Sequence, residues 1–149
     1  MDEIRALQPS DVPEWHGLRA LLWPDEVTLE ETQTFAEELF AGRSDSWCVL
    51  VYQGDGQLDG FVEAHLREYA DGCDSSPVGF IEGWYVSEPR RRVGIGRRLI
   101  DAAEAWARGF GCTEMASDAL LENTLSHQAH EALGYSEVER AIRYRKDLT

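Results

Sequence analysis

Apolar residues recur along this chain at two different spacings, and the switches between them predict its elements. Ile4-Arg5-Ala6-Leu7 reads as a short first strand. Trp15, Leu18 and Leu22 then fall at helical spacing, on a helix that Ser10 or Asp11 can cap. Pro13 is tolerated in its first turn, and Pro24 ends it just after Trp23. Thr28 and Glu31 form a capping box for a second helix, striped by Leu29, Phe35, Leu39 and Phe40 and stopped at Gly42. The period then shortens. Residues 47–52 and 60–67 read as two strands joined by a turn at 53–56. A polar loop over 71–77 leads to a long aromatic and branched strand, 78–86. Residues 95–110 carry Leu99, Ile100, Ala103 and Trp106 on one side of a strong helix. A short strand over 113–118, a helix over 123–133 ended by Gly134, and a final extended segment over 135–148 complete the chain. The order β-α-α-β-β-β-α-β-α-β predicts an α/β (α+β) fold, a mixed central sheet flanked by helices. No linker, repeat or low-complexity tract interrupts it, so residues 1–149 are expected to form a single domain.

Charge narrows the chemistry. Asp and Glu number 28 against 14 Lys and Arg, a formal net charge of −14. Such a surface repels nucleic acid and anionic lipid and attracts cations. No apolar run reaches membrane-spanning length, and the acidic N-terminus does not look like a signal peptide, so a cytoplasmic location is expected. Cys48, Cys73 and Cys112 are odd in number and widely spaced, which suggests neither a zinc site nor a disulfide framework. No metal is expected.

The most informative stretch is Arg90-Arg91-Arg92-Val93-Gly94-Ile95-Gly96-Arg97-Arg98-Leu99, between the long strand and the strong helix. Two glycines at a helix start let unpaired amides approach a ligand closely, and those amides carry partial positive charge. With arginines adjacent, this makes a pyrophosphate cradle. A Walker loop would need a Lys-Ser/Thr ending, and a dinucleotide fingerprint a third glycine; both are missing.

The spacing Arg91-x-x-Gly94-x-Gly96 resembles the acyl-CoA pyrophosphate motif of the GNAT superfamily of N-acetyltransferases. The resemblance covers essentially the whole chain. Leu22-Trp23-Pro24, the run from Gly72 to Pro77, Glu82-Gly83, Met115-Ala116-Ser117-Asp118, Glu122-Asn123-Thr124 and Tyr144-Arg145-Lys146 are similar to the short aminoglycoside 6'-N-acetyltransferases. The resemblance implies acetyl-CoA as donor, an aminoglycoside amine as acceptor, and direct attack of the amine on the thioester. A polyamine, an amino acid or a protein N-terminus are the alternative acceptors, and a non-catalytic acyl-CoA-binding domain is a further alternative.

Site residues follow from both readings. A carboxylate on a central strand needs a partner or a purpose. Glu82 is therefore either the base that receives the ammonium proton or half of an ion pair with a core arginine. The resemblance assigns the main chain of Trp84, Tyr85 and Val86 to the pantetheine arm, with the Val86 amide facing the developing oxyanion. It assigns Arg91, Arg92, Val93, Gly94, Ile95, Gly96 and Arg97 to the pyrophosphate, and Asn123 to the pantetheine arm. His130 stands where many members have a tyrosine that protonates the leaving thiolate, and histidine can donate near neutral pH. Asp118, at a strand end, is either a turn residue or a substrate carboxylate. Glu139, Trp23 and Tyr69 are further candidates for holding the amino sugar. The family's habit of pairing C-terminal strands implies a homodimer through the final segment.

Overall fold

The structure, a computed structural model, describes residues 2–149. Five strands line up in chain order as one sheet: β1 (Glu3–Ala6), β2 (Trp47–Gly54), β3 (Gln57–Arg67), β4 (Val78–Val86) and β5 (Met115–Ser117). The first four are antiparallel, and β5 runs parallel to β4. Helices α1 (Val12–Leu22) and α2 (Leu29–Phe40) precede β2, α3 (Ile95–Gly109) crosses from β4 to β5, and α4 (Thr124–Ala132) follows β5. The expected mixed sheet with flanking helices is therefore present.

Strand alternation divides the core between the two faces of the sheet. Cys48, Tyr52, Val62, Ala64 and Ile81 meet Ile95, Leu99, Ile100 and Ala103 of α3. Val49, Val51 and Phe61 point the other way, onto Trp15 and Leu18 of α1 and Ala36 of α2. A polar knot lies within this second layer: the buried Glu63 accepts from Trp15 Nε1 at 3.1 Å and Arg19 Nε at 2.9 Å.

Three local expectations need correction. The cap of α1 is Asp11, but its side chain does not bond a helix amide. It is turned back to Arg5, which donates at 2.6 and 3.0 Å, and to the Gln8 amide at 2.7 Å. A guanidinium fork outcompetes a neutral amide for a carboxylate. The β2–β3 turn is only Asp55-Gly56, both at positive φ (37° and 84°), which suits a tight hairpin. β3 therefore starts at Gln57 rather than at residue 60. Finally, residues 135–148 form no strand. The segment pairs with neither edge strand of the sheet, β1 or β5, and Val138, Ile142, Tyr144 and Leu148 lie exposed.

Candidate active site

The site begins where two parallel strands part. β4 and β5 pair only at Gly79–Met115, Phe80–Ala116 and Ile81–Ser117. The next residues, Glu82 and Asp118, therefore face the mouth of a split in the sheet. A bulge aims Glu82. Glu63 of β3 pairs with Gly83 and Ala64 pairs with Ile81, so Glu82 is the extra residue, opposite no partner. Past the bulge the backbone of β4 has an open side. The Ser87 amide donates to Asp59 O at 2.7 Å, the bond that flanks the Gly60–Val86 pair. That parity makes Val86 and Trp84 non-hydrogen-bonded partners of β3, with their own N–H and C=O directed toward the split. Tyr85, between them, turns its main chain to Phe61 instead. Of the three residues assigned to the pantetheine arm, Trp84 and Val86 have main-chain groups on the open side.

The helix after β4 closes one end of this split. Gly94 caps α3 in the left-handed region (φ 88°) with no side-chain bond, and Arg92 before it is also left-handed (φ 68°). In the first intrahelical bond the Arg98 amide donates to Gly94 O at 3.1 Å. The amides of Ile95, Gly96 and Arg97 thus carry the helix's positive end. A Cβ on Gly96 would come 3.1 Å from the Trp84 indole, so glycine keeps the helix start close to β4. The exposed Val93 stands clear of this turn. The arginines divide the work. Arg91 Nε donates to Val86 O at 2.8 Å, and Arg97 Nη2 to Ala132 O at 2.9 Å, tying α3 to the end of α4. Arg92 is exposed. Open amides, left-handed turns and a nearby guanidinium fit a pyrophosphate, as the acyl-CoA reading requires.

Across the split, His130 of α4 lies edge-on to Trp84, with ring centroids 5.5 Å apart. Its Nδ1 is 2.7 Å from Ser126 O, a group that only accepts, so Nδ1 carries a proton. Its Nε2 lies 2.8 Å from the Ser117 hydroxyl, at the last paired residue of β5. Sequence reasoning misses Ser117; only the strand register shows that it stands between His130 and the split. Asn123 Oδ1 caps α4 by accepting from Ser126 N at 3.1 Å, so its carbonyl is already used.

The acceptor side is acidic and aromatic. Trp23 packs over Gly83, where a Cβ would come 2.5 Å from the indole, and against Phe61 at 6.3 Å between ring centroids. Glu82 accepts two bonds from Arg67, at 2.7 and 2.9 Å, and His65 Nδ1 lies 3.7 Å away. The ion-pair reading of Glu82 is thus part of its geometry. Sequence reasoning misses Arg67 and His65 as well. Their signal is the alternation Glu63, His65, Arg67 along one face of β3. Asp118 is two-thirds exposed, with Arg143 of the C-terminal segment 3.9 Å away. Tyr69 donates to Asp71 at 2.7 Å, which pushes its phenol pKa up, and Glu139 adds to that rise. The C-terminal segment therefore runs past the β3–β4 loop, with Val138 against Gly72. The cysteines offer no activated thiol: burial pushes Cys48 up to about 12, and burial and the neighbouring Glu114 raise Cys73. Among the described residues, no cluster of His, Cys, Asp and Glu could hold a metal ion, and no helix is long and apolar enough to cross a membrane.

A helix start open to a diphosphate, a strand edge open to an extended arm, and a carboxylate at their junction define an acyl-CoA-dependent acyltransferase. The chain belongs to the GNAT acetyltransferase family, whose model matches residues 15–135. It is 43% identical over 148 residues to the aminoglycoside N(6')-acetyltransferase type 1 of Stenotrophomonas maltophilia, covering 97% of this chain and 93% of that one. It is 42% identical to the enzyme of the same name from Acinetobacter genomosp. 13, covering 97% and 98%. Among solved structures it resembles AAC(6')-Iy in complex with the bisubstrate analog CoA-S-monomethyl-acetylneamine, with a TM-score of 0.90 and 39% identity over 99% of each chain. It also resembles AAC(6')-Ih from Acinetobacter baumannii, with a TM-score of 0.89 and 36% identity over 100% of each chain.

Proposed function

We propose that this chain transfers the acetyl group of acetyl-CoA to the 6'-amino group of an aminoglycoside, by direct attack of the amine on the thioester. The observation that carries this reading is the junction at Glu82, where an acidic mouth meets the open edge of β4 and the amide-rich start of α3. Acetyl-CoA supplies an activated carbonyl carbon and a thiolate leaving group. The chain's own groups do the rest. Ile95, Gly96 and Arg97 amides hold the diphosphate, with Arg92 as added counter-charge. Trp84 and Val86 main-chain groups align the arm, and the Val86 N–H stabilises the oxyanion. Glu82 receives the ammonium proton, directly or through a water. Asp118, Glu139, Tyr69 and Trp23 hold the amino sugar. As an imidazolium, with Nδ1–H held by Ser126 O, His130 returns its Nε2 proton to the sulfur through the Ser117 hydroxyl. The new C–N bond replaces the C–S bond. Two protons leave the nitrogen and one is taken up by sulfur, so each turnover releases one proton.

Thiol release from acetyl-CoA tests the reading. Kanamycin is expected to support release, and an analogue with a hydroxyl at the 6' carbon is not. Glu82→Gln is expected to lower kcat at neutral pH by about 10²–10⁴-fold. Equal release with both acceptors would sink the 6'-amine assignment, and an unchanged Glu82→Gln rate would remove Glu82 as base.

The same reading extends to a homodimer. The C-terminal segment presents Val138, Ile142, Tyr144 and Leu148 to solvent, and an unpaired extended segment invites a strand from a second copy. Sedimentation at the mass of one 16.8 kDa chain at micromolar concentration would overturn the dimer.

A further inference from the structure

Glu82 does not stand free in the mouth of the split. Arg67 Nε donates to Oε2 at 2.9 Å and Nη2 donates to Oε1 at 2.7 Å, a two-bond fork that engages both carboxylate oxygens. The guanidinium is itself fixed. Its carbon lies 3.6 Å from the centroid of the Phe80 ring, two residues before Glu82 on the same strand. An aromatic ring on one side and two bonds to a carboxylate leave the fork little rotational freedom. Three other charged or titratable groups complete the surroundings on β3 and α1. His65 Nδ1 is 3.7 Å from Oε2, with its ring stacked on Trp47. Glu63 lies two residues before His65, and Arg19 of α1 already engages it at 2.9 Å. From the end of α1 the neutral Trp23 covers Gly83.

A tie between strands does not account for this arrangement. β3 and β4 are already joined by a ladder from Gly60–Val86 to Arg67–Val78. An ion pair whose arginine side chain is 39% exposed adds little to such a ladder. Orientation is what the fork supplies. Glu82 sits on a bulge, with no cross-strand partner to fix its side chain. A carboxylate has about four lone-pair directions, and the fork occupies two of them along one edge. The others stay available to an ammonium or a water.

We propose that Arg67 is a positioning residue for the acetyl transfer: it fixes the carboxylate plane of Glu82 so that the unoccupied lone pairs face the acceptor amine. The inference rests on Glu82 as base. Arg67 touches no reacting atom and acts only through Glu82. A lysine in its place would hold one oxygen as a point charge and could not set the plane.

Steady-state kinetics on the full chain tests this with Arg67→Gln, Arg67→Lys, Glu82→Gln and the double variant that combines Glu82→Gln with Arg67→Gln. Arg67→Gln is expected to lower kcat roughly 10–100-fold, the scale of a misplaced catalytic group, with the KM for acetyl-CoA unchanged. Arg67→Lys is expected to recover only part of that loss. The double variant is expected to be no slower than Glu82→Gln alone, because nothing remains to be oriented. An Arg67→Gln enzyme with full kcat overturns the inference, including one whose aminoglycoside KM has fallen because a plug was removed. So does a loss that repeats undiminished when Arg67→Gln is added to Glu82→Gln. If Glu82→Gln itself leaves kcat unchanged, the base assignment fails first, and that result is read independently of Arg67.

Discussion

Two carboxylates flank the mouth of the split and keep different company. Glu82 is four-fifths buried and forked to Arg67, whereas Asp118 is 67% exposed and has the tail arginine Arg143 as a loose ion-pair partner at 3.9 Å. An exposed acid with a loose partner is suited to gripping a cation from solvent, not to setting its protonation. Asp118→Asn is therefore expected to raise the KM for the aminoglycoside by roughly tenfold, the worth of one charge-assisted hydrogen bond. The KM for acetyl-CoA should hold. Equal rises in both constants would show that Asp118 shapes the cleft as a whole. Glu82 is legible in the sequence because a carboxylate on an apolar strand is conspicuous. Arg67 is not, although Glu63, His65 and Arg67 alternate along β3, because the facing residue of β4 depends on a bulge.

Elements whose signals are local can be read from the sequence nearly intact. β4 runs over Val78–Val86 as expected, because an unbroken aromatic and branched run is bounded by Pro77 and Ser87. Half of the expected capping box of α2 forms: the Thr28 hydroxyl accepts from the Glu31 amide at 3.1 Å, without a return bond from the Thr28 amide to the Glu31 side chain. Signals that depend on a distant partner cannot be read this way. Asp11 reads as a helix cap, yet Arg5 of β1 claims it across the start of α1. This pair joins two elements and should titrate. Arg5 holds the Asp11 carboxyl below its ordinary value of 3.8, so its stabilisation is complete above that value. It is lost as the pH falls through the lowered one. Asp11→Asn should cost about 1–3 kcal/mol near neutral pH, and the gap in melting temperature should close in strong acid. A gap independent of pH would mean that packing, not the ion pair, was lost.

At the scale of the whole molecule, charge and shape point the same way. A chain of net charge −14 opens its sheet at an acidic mouth, which would concentrate a polycationic acceptor. The final segment reads in sequence as a sixth strand but pairs with no edge of the sheet, although β5 is bonded on one side only. The pairing of β4 with β5 at only three positions has one more consequence. Beyond Ile81, β4 has no neighbouring strand on that side, so the sheet carries an open seam there. A bound donor would lie along the seam as a strand does, and the fold would tighten around it. Coenzyme A should therefore slow amide hydrogen exchange at Trp84 and Val86 and raise the melting temperature in proportion to its occupancy. Exchange at those two amides unaltered by saturating coenzyme A would mean that the ligand bridges nothing there.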